Sequence, residues 1–177
     1  MGLEQFMRER AARLKELNEI EQNKTHYSIA DDGCAVVSDG ETVIGARSFA
    51  NDTGFTTVRI PDSVTSIGFE AFENCSNLTT VVIPDSVKQI ERGAFRGCTS
   101  LTSVVLPDSL YDIGTETFKD CTGLSSVAIG CHVTYIGEAA FSGCTSLTSI
   151  TIPASMFLIR ERAFEKCTGL TTAIIHG

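Results

Sequence analysis

Apolar residues recur along this chain in columns spaced 23 residues apart. The phenylalanine column runs Phe49, Phe72, Phe95, Phe118, Phe141 and Phe164 without a slip. Others keep the same step: Phe55, Leu78, Leu101, Leu124, Leu147 and Leu170; then Val58, Val81, Val104, Val127, Ile150 and Ala173; then Ile60, Ile83, Leu106, Ile129, Ile152 and Ile175. Two further columns, Val64 to Met156 and Ile67 to Ile159, complete the unit. A fixed period in the twenties, free of insertions, is the mark of a solenoid in which each repeat forms one coil. Residues 48–177 thus read as about five and a half turns.

Within a unit the spacing separates the pieces. Thr80-Val81-Val82-Ile83 alternates with the two-residue period of a strand, Val81 and Ile83 facing inward. Pro84 has no amide donor and stops that strand, and Pro84-Asp85-Ser86 carries turn chemistry. Val87 to Ile90 predicts a second short extended piece. Gly93-Ala94-Phe95-Arg96-Gly97 predicts a tight helical or 3₁₀ turn leading to the next repeat, which makes the class an α/β solenoid. Equivalent strands must pair in parallel, about 4.8 Å apart. One coil alone leaves both its faces bare, so stability belongs to the stack.

The pattern Cys75-x-x-Leu78-x-x-Val81-x-Ile83-Pro84-x-x-Val87-x-x-Ile90-x-x-x-Ala94-Phe95 resembles the BspA-like class of leucine-rich repeats, from about Ile44 to the end. The resemblance implies a curved right-handed array with its parallel sheet on the concave side and a role in protein–protein contact. Many relatives are surface proteins of bacteria and protists. It implies no catalytic residues and no cofactor. The chain departs from the pattern at Gly130-Cys131-His132, which replaces Pro-Asp-Ser, and at Glu91 and Arg160, which replace glycine. Ala173 and His176 weaken the last strand.

Both ends differ from the repeats. In residues 1–24, Leu3, Phe6, Met7, Leu14, Leu17 and Ile20 share one stripe, which predicts an amphipathic helix over residues 3 to about 22. It would pack over the open first turn or against a neighbour, pair with a partner helix, or extend freely. Residues 25–47 contain Asp31-Asp32-Gly33 and Ser38-Asp39-Gly40 between apolar runs and predict a capping hairpin. At the other terminus the sequence stops midway through a repeat, leaving a strand to be covered by a second copy or a partner.

Charge and cysteines narrow the classes. A net charge of −8 argues against nonspecific nucleic-acid binding and anionic membrane surfaces. No apolar run reaches membrane-spanning length and no apolar signal segment begins the chain, so the expected address is cytoplasmic. A trimmed surface or secreted protein would look the same, and only there would the sequons at Asn23, Asn51, Asn74 and Asn77 matter. Cys75, Cys98, Cys121, Cys144 and Cys167 occupy one column, with Asp52 in the first turn. Stacked in register with parallel vectors, they predict buried free thiols rather than disulfides, and no second ligand pair suggests a metal. Asp62, Asp85 and Asp108 form an acidic ridge read as solvated turn residues.

Inward columns report folding, so candidate binding residues lie on the outward ones. One face carries Thr57, Thr80, Ser103, Ser126, Ser149 and Thr172 beside Arg59, Val82, Val105, Ala128, Thr151 and Ile174. Thr80, Ser103, Val82 and Val105 are its candidate contacts, unless threonine and valine serve there only as good strand formers. On the second face polar pairs give way to Tyr111, Tyr135, Phe157 and Leu158, a candidate contact patch near the C-terminal end. Nothing places a base beside a nucleophile, and no phosphate loop occurs. The reading is a non-enzymatic protein-interaction module, scaffold or adhesin-like; the alternative is a self-assembling element whose partner is another copy.

Overall fold

The structure is a computed structural model and describes residues 25–176. The segment read as an N-terminal helix lies outside them. Strand β1 (Tyr27–Ile29) runs antiparallel to β2 (Cys34–Val37), with Tyr27 opposite Val37. The turn between them closes on Gly33, at φ 78°, and on the Cys34 N–H, which donates to Asp32 Oδ1 at 3.0 Å. β2 also begins the parallel ladder: Cys34 stands opposite Thr57 of β4 (Thr57–Arg59). β6 (Thr80–Val82), β8 (Ser103–Val105) and β10 (Ser126–Ala128) follow, giving the order β1-β2-β4-β6-β8-β10. Partners such as Val58–Val81 and Val104–Val127 are one repeat apart, so each column becomes a row. β12 (Ser149–Ile152) and β14 (Thr172–Ile175) pair in the same register.

A second ladder lines another wall. It runs as two three-stranded parallel sheets in succession, β3 (Val43–Ile44), β5 (Ser66–Ile67) and β7 (Gln89–Ile90), then β9 (Asp112–Ile113), β11 (Tyr135–Ile136) and β13 (Leu158–Ile159). Together the two ladders make a parallel β-solenoid of about six turns.

The third wall corrects the sequence reading. No helix occurs among the described residues, so the α/β class and the helical turn both fail. In a 3₁₀ turn every N–H would bond three residues back. Here every second one does: Ala71 N–H donates to Gly68 O at 3.2 Å, Glu73 to Glu70 O at 3.0 Å and Cys75 to Phe72 O at 3.2 Å. The alternate donors leave the coil: Glu70 N–H reaches Arg92 O at 3.0 Å, and Phe72 and Asn74 reach Ala94 O and Arg96 O, each at 2.7 Å. The backbone conformation matches this split. Arg47, Glu70, Gly93, Glu116, Ala139 and Arg162 all have positive φ, as do Asn51, Asn74, Gly97, Asp120, Gly143 and Lys166 four residues on. Two left-handed residues so close leave no run for a right-handed helix.

Ala139 occupies one of those positions at φ 52°, with a Cβ that disfavours it, where the third coil has Gly93 at φ 66°. Ala139→Gly is therefore expected to raise stability by roughly 0.5–1 kcal/mol, strain relief outweighing the added freedom of the unfolded chain. Urea denaturation of both proteins checks this.

The phenylalanines form one internal pile. Successive rings from Phe49 to Phe164 stack with centroids 4.7, 5.1, 5.4, 5.4 and 5.4 Å apart, none tilted by more than 15°. Tyr27 closes the N-terminal end, its ring 4.2 Å from Phe49. Its hydroxyl donates to Asp52 Oδ2 at 2.7 Å, and burial, then that bond, pushes the phenol pKa to about 12. Asp52 thus takes the cysteine place where a capping hydroxyl needs an acceptor. In the last coil the inward columns lose their cover: Ile159 and Ala173 are exposed, and Ile175 is 74% exposed.

Candidate interaction surfaces

The long sheet turns two outward rows to solvent. Thr80 and Ser103 stand directly opposite each other across β6 and β8. Val82 pairs with Arg59 on one side, and Val105 with Ala128 on the other. Val82 is 71% exposed and Val105 66%, while Val81 and Val104 between them face the core. Strand alternation alone produces this: each inward valine forces its neighbours outward. Arg59 is the one charged side chain among the described outward strand positions of this face, from β4 to β14.

A row of hydroxyls beside this face has a structural task. Thr79 Oγ1 donates to Thr56 O at 2.9 Å, Thr102 Oγ1 to Thr79 O at 3.2 Å and Ser125 Oγ to Thr102 O at 3.0 Å. The amide of the same residue binds the same carbonyl, so each coil is tied to the previous one twice.

The second candidate patch is placed as follows. Tyr135 stands between Asp112 and Leu158 in the ladder. Tyr111 is 65% exposed, Phe157 89% exposed and Leu158 exposed, whereas Tyr135 is half-buried. Tyr111 and Phe157 are not direct neighbours. Thr134 lies between them, its N–H donating to Tyr111 O while Phe157 N–H donates to Thr134 O, each at 2.8 Å.

The third wall carries an ion-pair network that reading one unit at a time misses. Arg47 Nε donates to Glu70 Oε2 at 2.7 Å, and Glu116 receives Arg92 at 3.0 Å and Lys119 at 2.8 Å. Arg96 lies 3.8 Å from both Glu73 and Glu116. Bonds from Lys119 and Arg92 hold the Glu116 carboxyl below its ordinary value. Burial and the neighbouring Glu70 raise that of Glu73. The signal was present: Arg47–Glu70 and Glu73–Arg96 are opposite charges one repeat apart. Apart from Lys119–Glu116, these pairs bind neighbouring coils to one another.

The cysteine column is a second internal tie. Each thiol donates to the phenylalanine carbonyl of the coil before: Cys75 to Phe49 O, Cys98 to Phe72 O, Cys121 to Phe95 O and Cys167 to Phe141 O at 3.1 Å, and Cys144 to Phe118 O at 3.2 Å. All are free thiols. Exposed Cys131 sits in the departing turn, its N–H on Asp108 Oδ1 at 2.7 Å. Its Sγ is 3.8 Å from His132 Nδ1, and that nitrogen lies 3.0 Å from Asp108 O. Both side chains are thus held by the preceding Asp108 turn.

Stacked coils, in-register parallel ladders and outward rows of small and apolar side chains define a repeat protein with flat solvent faces. The chain belongs to the family of BspA type leucine rich repeat regions, with six copies matched over residues 42–171. Among solved structures it is similar to a leucine-rich repeat protein of T. pallidum, with TM-score 0.73 and 27% identity over 85% of this chain and 79% of that one. A leucine-rich repeat protein from Bacteroides ovatus matches with TM-score 0.59 and 26% identity, over 85% of this chain and 51% of that one. A leucine-rich cell surface protein from Faecalibacterium prausnitzii matches with TM-score 0.58 and 30% identity, over 86% of this chain and 53% of that one. The chain thus spans about four-fifths of the first and about half of the other two. No curated protein sequence matches it.

Proposed function

We propose that this protein is a non-enzymatic protein-interaction module that recognises its partner with the outer face of the long sheet, around Val82, Val105, Thr80 and Ser103. One observation carries the reading: Val82 and Val105, 71% and 66% exposed, sit in the middle of a hydrogen-bonded sheet whose outward neighbours are small and, apart from Arg59, uncharged. Such a surface loses little hydration when covered and offers rigid side chains with little entropy left to lose. The cell-surface description of the Faecalibacterium relative supports display on a cell exterior, as an adhesin-like domain.

Self-assembly is the second reading. It is favoured by the exposed Ile174 and Ile175 of β14, an apolar surface that a second copy would cover.

Val82→Glu with Val105→Glu is expected to abolish capture of partners from the source organism's lysate and surface extract. Stability should change by less than about 1 kcal/mol, because both side chains face solvent. Equal capture by wild type and variant would refute the sheet-face assignment. Concentration-dependent light scattering with no captured partner would favour the second reading.

A further inference from the structure

The outward column Thr65, Lys88, Tyr111, Thr134, Phe157 runs down the second wall, one residue per coil. Its last three members make a slot. Tyr111 is 65% exposed and Phe157 89% exposed, and the small Thr134 stands between them. We propose that this slot is a binding site for an arginine side chain of a partner protein, its guanidinium held between the two rings and its charge met by Asp112. The site lies on a different wall from the long-sheet face and does not rest on that assignment.

Width is the first argument. Thr134 N–H donates to Tyr111 O and Phe157 N–H to Thr134 O, each at 2.8 Å, so the three residues are held in register at the coil spacing. Inside the solenoid, rings on successive coils from Phe72 to Phe164 stack at 5.1 to 5.4 Å. On the outer wall the ring of the middle coil is missing, so Tyr111 and Phe157 stand two coil spacings apart, about 10 Å. One flat group fits that gap at about 5 Å from each ring, within the reach of a cation–π contact. Both rings are solvent-exposed and turn toward the gap without repacking any neighbour. Thr134 does not fill it: its Oγ1 donates to Tyr111 O at 3.1 Å, which ties the side chain back to the preceding coil.

Chemistry selects the group. Asp112 follows Tyr111 and is exposed, with no ion pair among the described residues. In the ladder it is followed by half-buried Tyr135 and then exposed Leu158, so the strip beside the slot is apolar apart from that carboxylate. A partner's aromatic side chain would match the width but would desolvate Asp112 without pairing it. A sugar needs several placed polar groups to orient it, and the Thr134 hydroxyl is already committed. A lysine ammonium is compact and strongly hydrated. A guanidinium is planar and weakly hydrated, offers a face to each ring and turns its edge to a carboxylate. Lys88 of the same column lies on the far side of Tyr111, outside the slot. The chain's 22 acids against 14 lysines and arginines favour the approach of a cation.

Backbone-amide NMR of the full-length protein, titrated with acetyl-Gly-Arg-Gly-amide, tests this. The Tyr111, Asp112 and Thr134 amides are expected to shift together and to saturate at millimolar peptide. Acetyl-Gly-Lys-Gly-amide should bind roughly five-fold more weakly or worse. Thr134→Phe, which closes the gap with a third ring, should abolish the shift at Asp112, and Thr134→Ser should retain it. Asp112→Asn should weaken binding roughly five-fold and remove most of its salt dependence. The remaining amide peaks report that each variant is folded. Absence of a saturable shift, equal binding of the two peptides, or a Thr134→Phe variant that binds as wild type does would overturn the proposal. So would tighter binding of acetyl-Gly-Phe-Gly-amide, which would make the slot a seat for an aromatic side chain. Shifts of the same amides on concentrating the protein alone would make a second copy the occupant. Shifts confined to Val82 and Val105 would move the cation to the long sheet, so the two surfaces succeed or fail separately.

Discussion

Raising the pH from 9 to 10 is expected to remove about 4 kcal/mol of stability from this protein. Four column thiols cause it. Burial pushes the pKa of Cys75 and of Cys144 from 9.0 to about 12, and burial with a neighbouring thiolate drives Cys98 and Cys121 well above the ordinary value. In the unfolded chain these groups ionise near 9.0, whereas in the fold they keep their protons. Above pH 9 the unfolded state therefore binds fewer protons, and stability falls with pH. The contribution is whole below the unfolded pKa and is lost between there and the folded values. Each thiol supplies about 1 kcal/mol per pH unit in that window. Urea midpoints at pH 7, 9 and 10 would show a flat region followed by a steep drop. Cys144→Ser, which keeps a donor for Phe118 O but does not titrate there, should reduce the slope by about a quarter. An unchanged slope would mean that the thiols are not the titrating groups.

Phe95→Ala is expected to cost about 4 kcal/mol. Its ring is fully buried, with Phe72 5.1 Å away on one face and Phe118 5.4 Å away on the other. Removing it leaves a hole that neighbouring coils cannot close, because the in-register amide ladders on all three walls fix their spacing. In a solenoid each coil touches only its neighbours, so a central gap also weakens the coupling between the two halves. Urea denaturation should show a lower midpoint with a broader or split transition. Phe164→Ala, in the half-buried last ring, should cost less than half as much. Equal losses at both sites would refute the nearest-neighbour account.

How much of the surface could be read depended on whether one repeat predicted the next. Val82 and Val105 were legible as outward because Val81 and Val104 had to be inward, and a strand allows no other choice. Tyr111 and Phe157 were legible as departures from their column, but their separation by Thr134 was not. Two residues lie between Ile113 and the previous inward Leu110, and both turn outward, so simple alternation fails there. The turn wall was misread because Gly93-Ala94-Phe95-Arg96-Gly97 has the composition of a helical turn. In other coils Glu70, Glu116 and Arg162 take the same left-handed position, and nothing in those side chains announces positive φ. That conformation goes with the carbonyls of the adjacent coil, which accept from every second amide.

The sequence by itself determined the coil, its length, the inward columns and the parallel register. A period of 23 residues without insertions permits a single superposition in which every apolar column is buried. Only the tertiary structure decided the conformation of the turn wall, the pairing of its charges and the donor role of each thiol. Those depend on amides, carbonyls and side chains contributed by neighbouring coils, which no single repeat contains.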